Sequence, residues 1–199
     1  MDSDFRNWNR LFDWKKVRRS IQNLENHPFM TPESFQNDLQ IAQNLVYKES
    51  GFMLKNLVWN SESTNYGACS FELNNYKIQY RVANITPTKI GQFVAIWKRN
   101  NNGITAPFDV ADSLDFMIIS VRDSENFGQF IFPKSVLVSK GIISKNEKGG
   151  KRGIRVYAPW DITTNKQAIQ TQAWQANYFV EIKENFPIDL EKVKRILSV

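Results

Sequence analysis

The stretch KGGKRGIRVYAPWD, residues 148–161, combines positive charge, glycine and aromatic rings in one short segment. Glycine lets backbone amides approach a phosphate closely, and a guanidinium can grip a phosphate with two donors or stack on a base. Tyr157 and Trp160 offer ring faces on which bases stack. The stretch therefore predicts a flexible cationic loop for an anionic, aromatic partner, either a nucleic acid or a nucleobase. Its basic residues are Lys148, Lys151, Arg152 and Arg155.

The segment that follows this loop is rich in side-chain amides. An amide is both donor and acceptor, so it can pair with a base edge. Trp174 and Tyr178 lie on a second face of the same expected helix, and this combination favours single strands or a lone base over duplex grooves. The alternative is that the amides are ordinary surface and that Trp160 and Trp174 belong to the core. The amide residues are Asn165, Gln167, Gln170, Gln172 and Gln175.

Positive charge is concentrated at two places in the chain. The 199 residues carry a net charge of +6, which favours anionic partners. One basic cluster lies in residues 5–24 and the other in residues 145–155, each with a single acidic residue. Clustering of this kind raises the expectation of a nucleic-acid partner.

Cysteine and histidine are almost absent. Cys69 and His27 are the only residues of their types, which excludes an intrachain disulfide and makes a classical zinc site untenable. We therefore expect no metal and no cofactor. The sequence has no apolar run near the ~20 residues of a membrane span, and its first residues lack the apolar core of a signal peptide. These features predict a cytoplasmic protein without membrane contact.

Helical periodicity appears at both ends of the chain. Residues 5–25 predict an amphipathic helix with a basic outer face, in an N-terminal extension over 1–30. Residues 32–49 predict a cleaner helix that ends at Gly51 and buries Phe35, Leu39, Ala42 and Val46. Residues 163–183 predict a helix whose inward residues are Ile169, Ala173, Ala176 and Val180. A short helix is expected over 187–198.

The middle of the chain alternates as strands do. Residues 67–83 predict a hairpin with its turn at Asn74–Asn75, in which Glu72 lies opposite Lys77 and Ser70 opposite Gln79. Further strands are expected over 92–99, 115–122, 129–138 and 153–159, the second of them central because it is apolar at consecutive positions. The order predicts an α/β (α+β sandwich) fold with one central mixed sheet of about five or six strands, flanked by helices, in a single domain over 1–199.

Several long blocks of the sequence resemble one family. The segments YGACSFELN, YRVANITPTKIGQFVAIWKRN, NFGQFIFPKSVLVSKGIIS, GKRGIRVYAPWD and TNKQAIQTQAWQ occur in this order and are similar to the MepB-like family of small bacterial proteins, some encoded beside a multidrug efflux pump. The resemblance covers about residues 37–183. It implies a core like that of restriction endonucleases and a link to nucleic acids or bases, at the level of fold only.

The implied endonuclease-like core allows a comparison with nuclease chemistry. Such nucleases hold a divalent metal with acids on a hairpin, and a lysine orients the attacking water. The corresponding candidates here are Glu72, Gln79 and Arg81, with Lys98 on the next strand as the lysine. One good carboxylate is few for Mg²⁺, and Arg81 cannot act as a base. The alternative is a solvent-facing hairpin surface with a Glu72–Lys77 pair.

Three hypotheses follow. The first, which the sequence favours, is non-catalytic binding of a nucleic acid or nucleobase by the basic loop and the amide- and aromatic-rich helix, through Lys148, Lys151, Arg152, Arg155, Tyr157, Trp160, Asn165, Gln172 and Trp174. The second is a metal-dependent nuclease, or a degenerate relative of one, which alone would need Mg²⁺. The third is a regulatory module whose basic patch binds an acidic protein.

Overall fold

The computed structural model describes residues 32–100, 102–124, 126–183 and 186–198. The amphipathic helix expected over 5–25 lies outside these residues. The helices are α1 (Pro32–Ala42), α2 (Lys134–Ser139), α3 (Lys166–Ala176) and α4 (Leu190–Leu197). The strands in chain order are β1 (Leu54–Trp59), β2 (Cys69–Leu73), β3 (Tyr76–Val82), β4 (Asn84–Thr86), β5 (Lys89–Ala95), β6 (Trp97–Arg99), β7 (Thr105–Pro107), β8 (Phe116–Asp123), β9 (Asn126–Pro133), β10 (Gly153–Val156) and β11 (Phe179–Glu181).

A six-stranded mixed sheet forms the centre of the fold. Its order is β1-β2-β3-β8-β9-β11, and β3 and β8 are parallel while the other neighbours are antiparallel. The β2–β3 hairpin has the expected register, with Glu72 opposite Lys77 and a positive φ of 54° at Asn74. The predicted α+β fold, with a central mixed sheet flanked by helices, is confirmed.

Two separate sheets correct the expectation of a single sheet. The strand predicted over 92–99 is interrupted at Ile96, so β5 pairs with β4 and β10 while β6 pairs with β7. The segment 153–159 likewise joins β5 rather than the central sheet. The reason is burial: Val94, Ile96 and Ile154 pack over the central sheet, in one core with Met117 and Ile119. The second sheet thus covers one face of the first.

The opposite face of the central sheet is covered by helices. Helix α1 continues as a π-helical turn over Gln43–Tyr47, and its predicted stripe of Phe35, Leu39, Ala42 and Val46 is buried as expected. Helix α4 joins this core through Val193, Ile196 and Leu197. None of the helices in the described ranges is long and apolar enough to cross a membrane.

Helix α3 buries a different face from the one predicted. Ile169 is 49% exposed and Ala173 is also exposed, and Val180 lies beyond the helix, in β11. The buried residues of α3 are Ala168 and Gln175. Hydrogen bonds of Gln175 to the backbone of Tyr157 and Arg155 fix this orientation, which a count of apolar residues could not indicate.

Candidate functional site

A groove of about 720 Å³ separates α3 from the β4–β5 turn and β10. We call it the basic groove. It brings together five residues predicted from the sequence to bind nucleic acid: Lys151, Arg155, Tyr157, Asn165 and Trp174. It does not include the other four, which are Lys148, Arg152, Trp160 and Gln172.

The lining of the basic groove is cationic. Lys89 and Lys140, which the sequence analysis did not single out, add to Lys151 and Arg155. None of the described residues that line it is acidic, and none of the three lysines pairs with a carboxylate among the described residues. All three are exposed, so their ammonium groups are available to an anionic ligand.

The side chain of Arg155 makes structural hydrogen bonds that the sequence did not indicate. Its Nη1 donates to the carbonyl oxygen of Gly91 at 2.8 Å, and its Nη2 donates to Oγ1 of Thr86 at 2.9 Å. The guanidinium therefore braces the β4–β5 turn, next to Lys89 at the start of β5. Its charge still contributes to the potential of the groove, but most of its donors are occupied.

The glycine-rich loop is anchored by a carboxylate rather than free. Asp109 accepts hydrogen bonds from Oγ of Ser144 at 2.6 Å and from the backbone N–H of Glu147 at 2.9 Å. These bonds, with that from the N–H of Ala111, lower the pKa of Asp109 to about 2. Lys148 and Arg152 extend from this loop into solvent, outside the groove.

Most of the predicted base-reading amides are engaged with the protein. Asn165 caps α3, since its Oδ1 accepts the N–H of Ala168 at 2.8 Å. Gln172 donates to the carbonyls of Ala158 and Asp161, and Gln175 is buried. Gln167 is the exposed amide of α3 that lines the groove and has no side-chain bond to a described residue. Helix α3 therefore does not present a row of free amides that could form hydrogen bonds with base edges.

The aromatic residues divide between the groove and the core. Tyr157 and Trp174 line the groove and are half-buried. Trp174 packs its ring 5.3 Å from that of Phe132, and the ammonium of Lys140 lies 5.3 Å from its centroid. Trp160 instead packs edge-on against Phe179. The core alternative thus applies in part to both tryptophans, which are half-buried against the same core, and of the two only Trp174 also lines the groove.

The candidates from the nuclease comparison lie elsewhere, in a second cavity of about 450 Å³. We call it the Arg81 cavity. Gln79, Arg81 and Lys98 line it together with Trp59, Phe108, the loop 60–63 and strand β6. Glu72 does not line it: its Oε2 accepts a hydrogen bond from Asn56 at 2.9 Å.

A metal centre is not assembled by these residues. Lys98 forms an ion pair with Asp112, which occupies the amine that the nuclease comparison needs. Within the described ranges, no three acidic, histidine or cysteine side chains form a group that could hold a metal ion. Asp115, which immediately precedes β8, accepts the backbone N–H of Lys77 at 2.8 Å, a bond that ties β8 to β3.

Comparison with known proteins identifies a family that this chain matches. The MepB-like family model matches residues 60–181. The crystal structure of MepB is similar with a TM-score of 0.63 and 37% sequence identity, over 66% of this chain and 89% of that chain. A comparison with curated proteins gave no match.

A bacterial homing endonuclease, I-Ssp6803I, is a more distant neighbour. Its TM-score is 0.36 at 16% identity, over 68% of this chain and 86% of that chain. A likeness of this size carries no argument, so the endonuclease-like core implied by the sequence stays a prediction.

Proposed function

This chain belongs to the MepB-like family, and from its basic groove we propose that it binds single-stranded nucleic acid without cleaving it. The observation that carries the proposal is that one groove holds lysines that pair with no described carboxylate next to half-buried aromatic side chains. Lys89, Lys140 and Lys151 lie on three separate elements around Tyr157 and Trp174. Family membership supports the proposal only through the sequence blocks that line the groove, since it names no activity.

The chemistry of the groove suits a flexible strand. Phosphates are neutralised by lysine, and most of the resulting affinity comes from released counterions. Bases that are not paired can stack on aromatic side chains. Because most amides of α3 are engaged with the protein, we propose binding with little base preference rather than a reading of base edges. A free nucleobase is the smaller ligand of the same chemistry.

We also propose a cytoplasmic location and no catalytic step. The location is supported by the single cysteine of the sequence, which is buried as a free thiol. The absence of catalysis is supported by the lining of the Arg81 cavity, in which Glu62 is the one described carboxylate and is bound by Arg99. A metal-dependent nuclease would need at least a second carboxylate near the first.

The test is fluorescence anisotropy with labelled single-stranded and duplex oligonucleotides across a salt series. We expect tighter binding of single strands, weakened in a Lys140→Ala/Lys151→Ala variant. For single strands each neutralised phosphate contributes about 0.7 to the slope of log K against log salt, so the slope should fall by about 1.4. Lys48→Ala/Lys55→Ala is the matched control, because it removes the same charge from exposed residues outside the groove.

The outcomes separate the three hypotheses. Equal loss of affinity in both double variants would contradict the groove as the site, because net charge alone would then explain binding. Cleavage that requires Mg²⁺ and disappears in Glu72→Ala would replace the proposal with the nuclease. Failure of any oligonucleotide to bind at low salt would overturn the proposal and leave an acidic protein as the partner to test.

A further inference from the structure

Arg81 is a buried cation that has no anionic partner among the described residues. Its side chain is 2% exposed, and Nη1 donates to the carbonyl oxygen of Tyr80 at 2.7 Å. Nε has no acceptor, and no described carboxylate forms an ion pair with the guanidinium. Burial lowers the pKa of Arg81 only to about 10, so it is charged at neutral pH. A charge held out of water without a partner is costly.

The surroundings of Arg81 do not relieve this cost. The nearby thiol of Cys69 is buried, which raises its pKa to about 12 and keeps it neutral. Strand β3 is paired on both sides, with β2 and β8, so the backbone holds Arg81 in place. The ring of Phe108, 6.0 Å from the guanidinium carbon, gives only a weak electrostatic contact.

The other cations of the Arg81 cavity are already paired. Lys98 contacts Asp112, and Nε of Arg99 donates to the carboxylate of Glu62 at 2.9 Å. Arg81 differs from them in facing the cavity alone. The amide of Gln79, which lines the same cavity, also has no hydrogen bond to a described residue.

We infer that the Arg81 cavity binds a small ligand in which a flat aromatic ring carries one oxyanion group, a phosphate monoester or a carboxylate. Nε and Nη2 of Arg81, which make no hydrogen bond to a described residue, lie on one edge of the guanidinium, a fork that matches two oxygens of such a group. The ring would pack against the indole of Trp59 and against the face of Trp97 that Arg99 does not cover. The cavity volume of about 450 Å³ is in the range of small-ligand sites.

This site is separate from the basic groove. The two cavities share none of their lining residues, and Arg81 is buried while the groove lysines are exposed. The inference therefore does not rest on nucleic-acid binding, and either can fail without the other.

To test this inference, the full chain is titrated separately with adenosine 5′-monophosphate, benzoate, orthophosphate and adenosine. Binding is measured by tryptophan fluorescence and by calorimetry. We expect one or both aromatic oxyanions to bind, and adenosine and orthophosphate to bind at least tenfold more weakly. Which of the two aromatic ligands binds better distinguishes phosphate from carboxylate. Equal binding of adenosine and its monophosphate, or no binding of either aromatic oxyanion, would overturn the inference.

Variants assign the binding to Arg81. Arg81→Lys keeps the charge but loses the fork, so we expect affinity to fall about tenfold or more, and further in Arg81→Met. Arg152→Gln, an exposed arginine outside both cavities, removes the same charge and should leave affinity unchanged. Should the Arg81 variants not fold, Gln79→Leu and Trp97→Leu report on the same cavity, and undiminished binding in both would contradict the inference. Lys140→Ala/Lys151→Ala should retain this ligand.

Discussion

The side chain of Gln175 in α3 forms hydrogen bonds to the backbone of Arg155 and Tyr157, the residues on either side of the last residue of β10. The shorter of the two bonds is to Tyr157. Oε1 of Gln175 accepts the N–H of Tyr157 at 2.8 Å, and its Nε2 donates to the carbonyl of Arg155 at 3.1 Å. Because Gln175 is 1% exposed, water cannot replace these bonds. The amide therefore fixes the distance between α3 and β10, which are the two walls of the basic groove.

We expect Gln175→Leu to destabilise the fold. The substitution keeps the side-chain volume but leaves two backbone groups unpaired, each at about 1–3 kcal/mol. Urea unfolding should show a loss of about 2 to 6 kcal/mol. Gln170→Ala, at an exposed position of the same helix, should change stability by less than about 0.5 kcal/mol. Equal effects of the two substitutions would show that Gln175 does not join the walls.

Substitutions of Arg155 and Arg152 should distinguish the loss of structural hydrogen bonds from the loss of a surface charge. Arg155→Ala removes the hydrogen bonds to Gly91 and Thr86 and should cost about 1.5 to 3 kcal/mol, the range for bonds to a charged group. Arg152 is exposed and has no such bonds, so Arg152→Ala should stay within about 0.5 kcal/mol of the wild type. Thermal unfolding of both variants is the measurement. An unchanged melting temperature in Arg155→Ala would contradict the bracing of the β4–β5 turn.

Gly91 and Gly149 differ in the space around them. Both have left-handed φ values, +77° and +74°, but a Cβ at Gly91 would lie 2.5 Å from Cδ1 of Tyr157, whereas Gly149 has nothing within 4 Å. Gly149→Ala should cost about 1 to 2 kcal/mol through backbone strain alone. Gly91→Ala adds overpacking, for a total of about 2 to 5 kcal/mol.

Both stability and oligonucleotide binding are measured for the Gly91→Ala and Gly149→Ala variants. Since Tyr157 lines the basic groove, its displacement in Gly91→Ala should also weaken oligonucleotide binding under conditions where the variant is folded. Gly149→Ala should bind as the wild type does. A Gly91→Ala protein as stable as the Gly149→Ala protein would mean that the ring of Tyr157 and the carbonyl of Val156, 2.7 Å from the added Cβ, move without cost.

Local sequence patterns predicted four of the six strands of the central sheet, β2, β3, β8 and β9, but not its outer strands β1 and β11. Alternation of apolar residues and the Asn74–Asn75 turn specify the β2–β3 register, and the helical stripe from Phe35 to Val46 specifies α1. The second sheet was not predictable in the same way. The run 92–99 is continuous in composition, and only packing against Met117 and Ile119 directs its first part into a different sheet from its last.

The groove was predictable only in part, because its residues come from distant segments. The basic stretch indicates Lys151 and Tyr157, but Lys89 and Lys140 are isolated lysines in sequence and become neighbours of the groove only through β5 and α2. Hydrogen bonds also change the meaning of residue types. The sequence predicts that the amides of Asn165 and Gln172 pair with bases. In the fold, their hydrogen bonds instead stabilise α3 and the loop before it.

Asp109 should make stability depend on acid pH. Hydrogen bonds from Ser144, Ala111 and Glu147 lower its pKa from 3.8 to about 2, so the unfolded chain binds this proton more readily than the folded chain. The stabilisation from Asp109 is therefore fully present above about pH 4 and is lost as the pH falls towards 2. Asp109→Asn should be less stable than the wild type at pH 7, and the difference should shrink to near zero by pH 2.

Urea unfolding of both proteins between pH 2 and pH 7 measures this difference, and other carboxyl groups cancel because both proteins contain them. Glu181→Gln is the control, since Glu181 is exposed and contacts only Lys183 by its side chain among the described residues. Because Asp109 holds Ser144 and Glu147, Asp109→Asn should also speed amide hydrogen exchange at Glu147. A stability difference that stays constant from pH 7 to pH 2 would mean that the charge of Asp109 does not anchor the loop.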